Sequence, residues 1–139
     1  MSITDKELEV VEEFEMFDDW MEKYEHLIEL GKELNVITEQ NKVDVNLIKG
    51  CQSRVWVHAE MIDGKVVFSA DSDAIITRGI IALLIRVLGN ETPEAILHAD
   101  LGFVDKIGLK DHLSPTRANG LVGMIKQIKA YALSFMAKS

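Results

Sequence analysis

Val55-Trp56-Val57-His58-Ala59-Glu60-Met61-Ile62-Asp63-Gly64-Lys65-Val66-Val67-Phe68-Ser69-Ala70 decides the fold. Asp63-Gly64 stands between two β-type runs and is the strongest short signal for a hairpin with a type I′ turn. A loop of that length sets Ile62 opposite Lys65, Met61 opposite Val66, Ala59 opposite Phe68 and Val57 opposite Ala70. One face then carries Val55, Val57, Ala59, Met61, Val66, Phe68 and Ala70, all apolar. The other carries Trp56, His58, Glu60, Lys65 and Ser69, mixed with Ile62 and Val67. A slip of one residue would bury the second set, so the pairing is well specified. Upstream, Val43, Val45 and Leu47 alternate with Asp44 and Asn46, which predicts a third, antiparallel strand over Val43 to Ile48.

Helices are expected to flank this sheet. Thr4-x-x-Glu7 has the form of a capping box. Leu8, Val11 and Phe14, then Trp20, Tyr24, Leu27, Gly31 and Leu34, recur at steps that place them on one face of one or two helices. Gly31 interrupts no spacing, so it reads as a close helix contact and not as a stop. Asp71-Ser72-Asp73 reads as a helix start, with Ser72 or Asp71 as cap. A metal reading of these carboxylates lacks the further ligands a cage needs. Ile75 to Leu88 is apolar nearly all round and is expected to be the central helix. Thr92-Pro93-Glu94 and Leu113-Ser114-Pro115 each place proline in a first helical position, where its missing amide costs nothing. The last helix carries Leu121, Met124, Ile125, Ile128, Tyr131 and Phe135 as its buried stripe.

A chain of 139 residues that is 47% hydrophobic fits one domain, taken as 1–139, with a single sizeable core. A net charge of -8 argues against nucleic acid and against anionic membrane surfaces. Between Asp5 and Glu33 there are twelve acidic residues against three lysines. Solubility explains such a face; a docking surface for a basic partner is the sharper alternative. No signal peptide or membrane segment is evident, so a cytoplasmic location is expected.

One cysteine cannot form an internal disulfide. Cys51 follows Gly50 and is flanked by Lys49, Gln52 and Arg54. A free cysteine usually behaves as a small buried hydrophobe. Two cations within three residues instead favour the thiolate. Gly50, without a side chain, leaves room for another molecule to approach the sulfur. The segment around Cys51 would then be the turn between the first two expected strands, held at the rim of a rigid sheet. Arg117 and Asn119 fall in the first turns of the last helix, where a helix carries partial positive charge. If that end lies near the Cys51 loop, its amides and Arg117 would stabilise an anionic sulfur; otherwise Arg117 is an ordinary surface residue.

Gly50-Cys51-Gln52-Ser53-Arg54-Val55-Trp56 resembles the signature of the SufE family, the sulfur acceptors of cysteine desulfurases. Ala70-Asp71-Ser72-Asp73-Ala74 with Arg78-Gly79 agrees with it, as does Gly108-Leu109-Lys110-Asp111-His112-Leu113-Ser114-Pro115-Thr116-Arg117-Ala118-Asn119-Gly120-Leu121. The resemblance extends over nearly the whole chain and is weakest before about Trp20. It implies an α+β fold related to IscU-type scaffolds, which here would be a small three-stranded antiparallel sheet flanked by helices. It also implies that Cys51 takes sulfane sulfur as a persulfide from a PLP-dependent, SufS-type desulfurase, stimulates that enzyme, and delivers the sulfur to the SufBCD scaffold for iron–sulfur cluster assembly. The PLP belongs to the partner, and this chain is expected to bind neither PLP nor metal. Gly50, Gln52 and Ser53 would shape the loop, while Arg54 and Arg117 would hold the anionic sulfur or dock the partner. Cys51 is expected to be shielded in the free protein and to swing outward on binding. The related Csd-type acceptors, with a different recipient, remain an alternative, as do a monomer and a weak homodimer.

Other chemistries ask more of the residues. A cysteine hydrolase needs a base beside the thiol, and His26, His58, His98 and His112 lie in no hydrolase context. An iron–sulfur scaffold generally needs several cysteine ligands. A plain interaction module with an incidental cysteine stays open. A carrier needs one reactive thiol, and no independent catalysis is expected of it.

Overall fold

The computed structural model describes residues 2–49 and 53–138. The two residues of the turn, Asp63 and Gly64, have φ of 53° and 79°, the left-handed pair that a type I′ turn requires. They join strand β1 (Val55–Ile62) to β2 (Lys65–Ser72) in the expected register, from Ile62–Lys65 to Val55–Ser72. Val55, Val57, Ala59, Val66, Phe68 and Ala70 are buried on one face. Met61 departs from that face and is 41% exposed. Its neighbour Val66 is covered because Asn90 and Glu91 bond to it, N–H to O at 2.9 Å in each direction.

Helix α3 (Ile75–Leu88) lies across the hairpin, and nine of its 14 residues are buried. Burying a Leu or Ile side chain contributes about 1.5–3 kcal/mol, which makes α3 the centre of the core. Helices α1 (Ile3–Glu15) and α2 (Trp20–Lys32) cover one flank of α3. Short helices α4 (Pro93–His98) and α5 (Phe103–Lys106) lead to the long α6 (Pro115–Lys138), which packs on α3, α4 and β1. Leu121, Met124 and Ile128 of the expected α6 stripe are buried, with Ala132 beside them, while Ile125, Tyr131 and Phe135 pack partly against the core.

Gly31 is a close helix contact. A Cβ placed on it would lie 3.1 Å from the Gly79 backbone nitrogen, and one on Gly79 would lie 2.2 Å from the Leu27 carbonyl oxygen. Helices α2 and α3 therefore meet backbone to backbone, which only residues without a side chain allow.

Several expectations are corrected. The sheet has two strands, not three. Val43 to Ile48 contains a 3-10 turn at Asp44–Asn46, and only Leu47 forms a bridge, to Trp56. The burial is the reverse of a strand's: Val45 is 76% exposed and Asn46 is 5% exposed. Asn46 is drawn inward by polar partners, since its Nδ2 donates to the Asn41 carbonyl at 2.8 Å and its Oδ1 faces the Tyr131 hydroxyl. The capping box belongs to Ser2 and Asp5, which satisfy each other's amides, not to Thr4 and Glu7. Leu8 is 51% exposed, and Val10 takes the buried place expected for it. Neither Asp71 nor Ser72 caps α3; Ser72 ends β2, Ala74 is the N-cap, and Ser72 Oγ accepts the Ala74 N–H at 3.2 Å.

No helix among the described residues is long and apolar enough to cross a membrane.

Candidate functional site

The expected site residues Gly50, Cys51 and Gln52, and with them the expected shielding of the thiol, lie outside the described residues. The chain on either side is held tightly. The Ile48 N–H donates to the Val55 carbonyl at 2.8 Å, which closes the segment 49–54 at its base. On the incoming side, α6 presses against it at Gly123, where a Cβ would stand 2.9 Å from the Lys49 carbonyl oxygen. On the outgoing side, the Arg54 N–H donates to Asp73 Oδ1 at 3.0 Å, and the Asp73 N–H donates back to the Arg54 carbonyl at 3.3 Å. Asp73 thus ties the segment to the β2–α3 turn. Reading the sequence as a helix start missed this role, because its partner is 19 residues away.

Ser53 and Arg117 come together. They line a small cleft of about 50 Å³ with Thr77 and Thr116, over Ile80 and Met124. Arg117 lies in the first turn of α6, and its N–H donates to Ser114 Oγ at 3.3 Å, so Ser114 caps the helix beside the cleft. The partial positive charge of that helix end therefore lies at this cleft, which Arg117 also lines. Arg54 is not part of the lining; its side chain is exposed and its backbone does the anchoring. Among the described residues, neither arginine is in an ion pair.

The start of α6 is positioned by an aromatic clamp from α2. The His112 ring stacks on Trp20 with centroids 4.0 Å apart and planes 14° from parallel. Its Nδ1 lies 3.0 Å from the Gly108 carbonyl, and the Tyr24 hydroxyl donates to the His112 carbonyl. Gly108 has φ of 73°, a conformation that suits glycine. Nothing near His112 in the sequence announces Trp20, so the stack is not legible there. His58 instead lies 3.3 Å from Glu60 on the outer face of the hairpin, and His26 packs between Phe14 and Phe17.

A second polar cluster braces the same end of the hairpin. Asp71 Oδ2 accepts from Lys42 Nζ at 3.0 Å, and its Oδ1 accepts the Ser72 N–H at 2.9 Å with Arg78 Nε 3.4 Å away. The Arg78 contact is an ion pair without hydrogen-bond alignment, since its Nε has no hydrogen-bond partner. Burial works to raise the Asp71 pKa, but the bonds from Lys42 and Ser72 and the nearby cations outweigh it and hold the carboxyl below its ordinary range. Lys42 Nζ also sits 5.3 Å from the Trp56 ring centroid. The carboxylates of Asp71 and Asp73 are therefore committed to protein partners. Among the described residues, no three His, Cys, Asp or Glu side chains are grouped to hold a metal.

This arrangement, a single-cysteine segment anchored at both ends beside a cationic helix start, agrees with what the comparisons find. The chain belongs to the SufE family: residues 8–132 match its model, described as an Fe-S metabolism associated domain. An uncharacterized SufE-like protein of Synechocystis sp. is 37% identical over 126 residues, covering 91% of this chain and 79% of that protein. The solution structure of a hypothetical protein from Thermus thermophilus superimposes with a TM-score of 0.79 at 24% identity, over 95% of this chain and 96% of the other. That likeness is one of fold.

Proposed function

We propose that this protein is a sulfur carrier in which Cys51 accepts one sulfane sulfur from a SufS-type cysteine desulfurase and passes it to the SufBCD scaffold. The observation that carries the reading is the convergence of Ser53, Arg117 and the α6 start on one cleft next to the anchored Cys51 segment. The Cys51 thiolate attacks the terminal sulfur of the donor's cysteine persulfide. A new S–S bond forms to Cys51 as the old one breaks, and the donor cysteine leaves as thiolate. There is no net oxidation, so no redox partner is required. The product persulfide is anionic, and Arg117 with the α6 amides supplies positive charge for it. Arg54, Gln52 and Gly50 belong to the same segment, and Arg54 docks or screens the incoming donor. The PLP stays with the donor enzyme.

The test is incubation with a desulfurase and cysteine, followed by mass spectrometry of the Cys51 peptide and measurement of sulfide release. One added sulfur on Cys51 and stimulated release are expected. Cys51→Ser must lose both; stimulation retained by that variant overturns the carrier reading. Delivery to SufBCD is checked by cluster assembly on that scaffold, and transfer only to another recipient points to the Csd-type arrangement.

A further inference from the structure

The corner between α1 and α2 carries a groove that shares no lining residue with the Ser53–Arg117 cleft. Its volume is about 560 Å³; Phe17 and Ile28 form its apolar lining, and the His26 ring, which meets the Glu13 carboxylate, lies beside them. Glu22, Glu25 and Glu29 line its rim. Their spacing of three and four residues places them in a row along α2, over about 10 Å at the usual helical rise. These carboxylates are only lightly engaged. Glu22 accepts the exposed Asp18 N–H at 3.1 Å, Glu29 pairs with Lys32 at 2.9 Å in the open, and Glu25 has no partner among the described residues. Met16 and Met21, at the same corner, are 79% and 73% exposed. Methionine side chains adapt to the surface they meet and recur where proteins grip helices of varied sequence.

An apolar lining, a helical row of carboxylates and two exposed methionines are complementary to one kind of ligand. We propose that this groove docks a cationic amphipathic helix of a partner protein, its apolar side on Phe17, Ile28 and the methionines, and its Lys or Arg residues at matching helical spacing on Glu22, Glu25 and Glu29. An anionic membrane surface is repelled by the same carboxylates. Because the groove shares no lining residue with the cleft, a helix held here leaves the Ser53–Arg117 cleft open to a second molecule. The proposal does not rest on the persulfide reading.

The probe is a synthetic amphipathic helix of leucine and lysine, titrated into the full chain at low and physiological salt and followed by amide chemical shifts. Saturable binding is expected, with the largest shifts at Phe17, His26 and Ile28. Met16→Ser with Met21→Ser, both at exposed positions, should weaken it at least about tenfold, as even partial burial of two such side chains implies. Reversing Glu22, Glu25 and Glu29 to lysine should weaken it by about tenfold or more and flatten its salt dependence. Cys51→Ser should bind the peptide as the wild type does, which keeps this result independent of sulfur transfer. Shifts spread over the acidic faces of α1 and α2 without these three residues, or affinity unchanged by the methionine substitutions, would mean general charge attraction and overturn the proposal.

Discussion

Two stretches of this chain alternate apolar and polar residues in the same way, and only one of them is a strand. Val55 to Ile62 pairs along its whole length with Lys65 to Ser72. Val43 to Ile48 folds as a 3-10 turn with a single bridge to β1. The hairpin is set by its own Asp63-Gly64 turn, whose backbone angles dictate the partner strand locally. The upstream stretch has no such turn, and distant groups decide it. Tyr131 and Asn41 take Asn46 inward, which turns Val45 out. Alternation describes which side chains differ; it does not say which of the two sets has a partner waiting.

That contrast can be broken or sharpened by substitution. Phe68→Ala, on the buried face of β2, should destabilise by about 3–5 kcal/mol in denaturant melts. A cost near zero would deny the hairpin its place in the core. Asn46→Ala should cost about 1–3 kcal/mol, because it removes two side-chain hydrogen bonds of a buried residue, to the Asn41 carbonyl and to the Tyr131 hydroxyl; a strand's outward-facing asparagine would cost almost nothing. Glu7→Gln tests the first helix by pH. Burial first, then the Asp100 charge, raises the Glu7 pKa above 4.5 against the Leu101 amide and Lys106, which lower it. Its ionised form therefore opposes folding at neutral pH, and stability is recovered as pH falls through the raised value toward 4.5. The glutamine variant should melt higher at pH 7 and lose that advantage in acid. Val45→Thr, at a position 76% exposed, should stay within about 0.5 kcal/mol of the parent.

What was readable in the sequence follows the same division. The hairpin register, the span of α3, the two Ser/Thr-Pro helix starts and the Gly31 contact all rest on neighbours a few residues apart or on a strict spacing. Arg117 was placed on the correct helix end, but its meeting with Ser53 depends on how α6 crosses the sheet, which no local pattern encodes. The Asp73–Arg54 tie and the His112–Trp20 stack were missed for that reason. For Asp73 the residue type suggests a common local role at a helix start, and the long-range partner overrides it.

The meeting of Gly31 with Gly79 reaches further than the pair itself. Two main chains in contact cannot be squeezed closer, so hard repulsion sets the gap between α2 and α3 and no compressible side chain buffers it. Trp20 and Tyr24 ride on α2 and grip the turn that launches α6, while Thr77 and Ile80 ride on α3 and wall the cleft. The width of that cleft is thus gauged by a stop with little play, and a methyl added at Gly79, which would stand 2.2 Å from the Leu27 carbonyl oxygen, would have to part the two helices that set it.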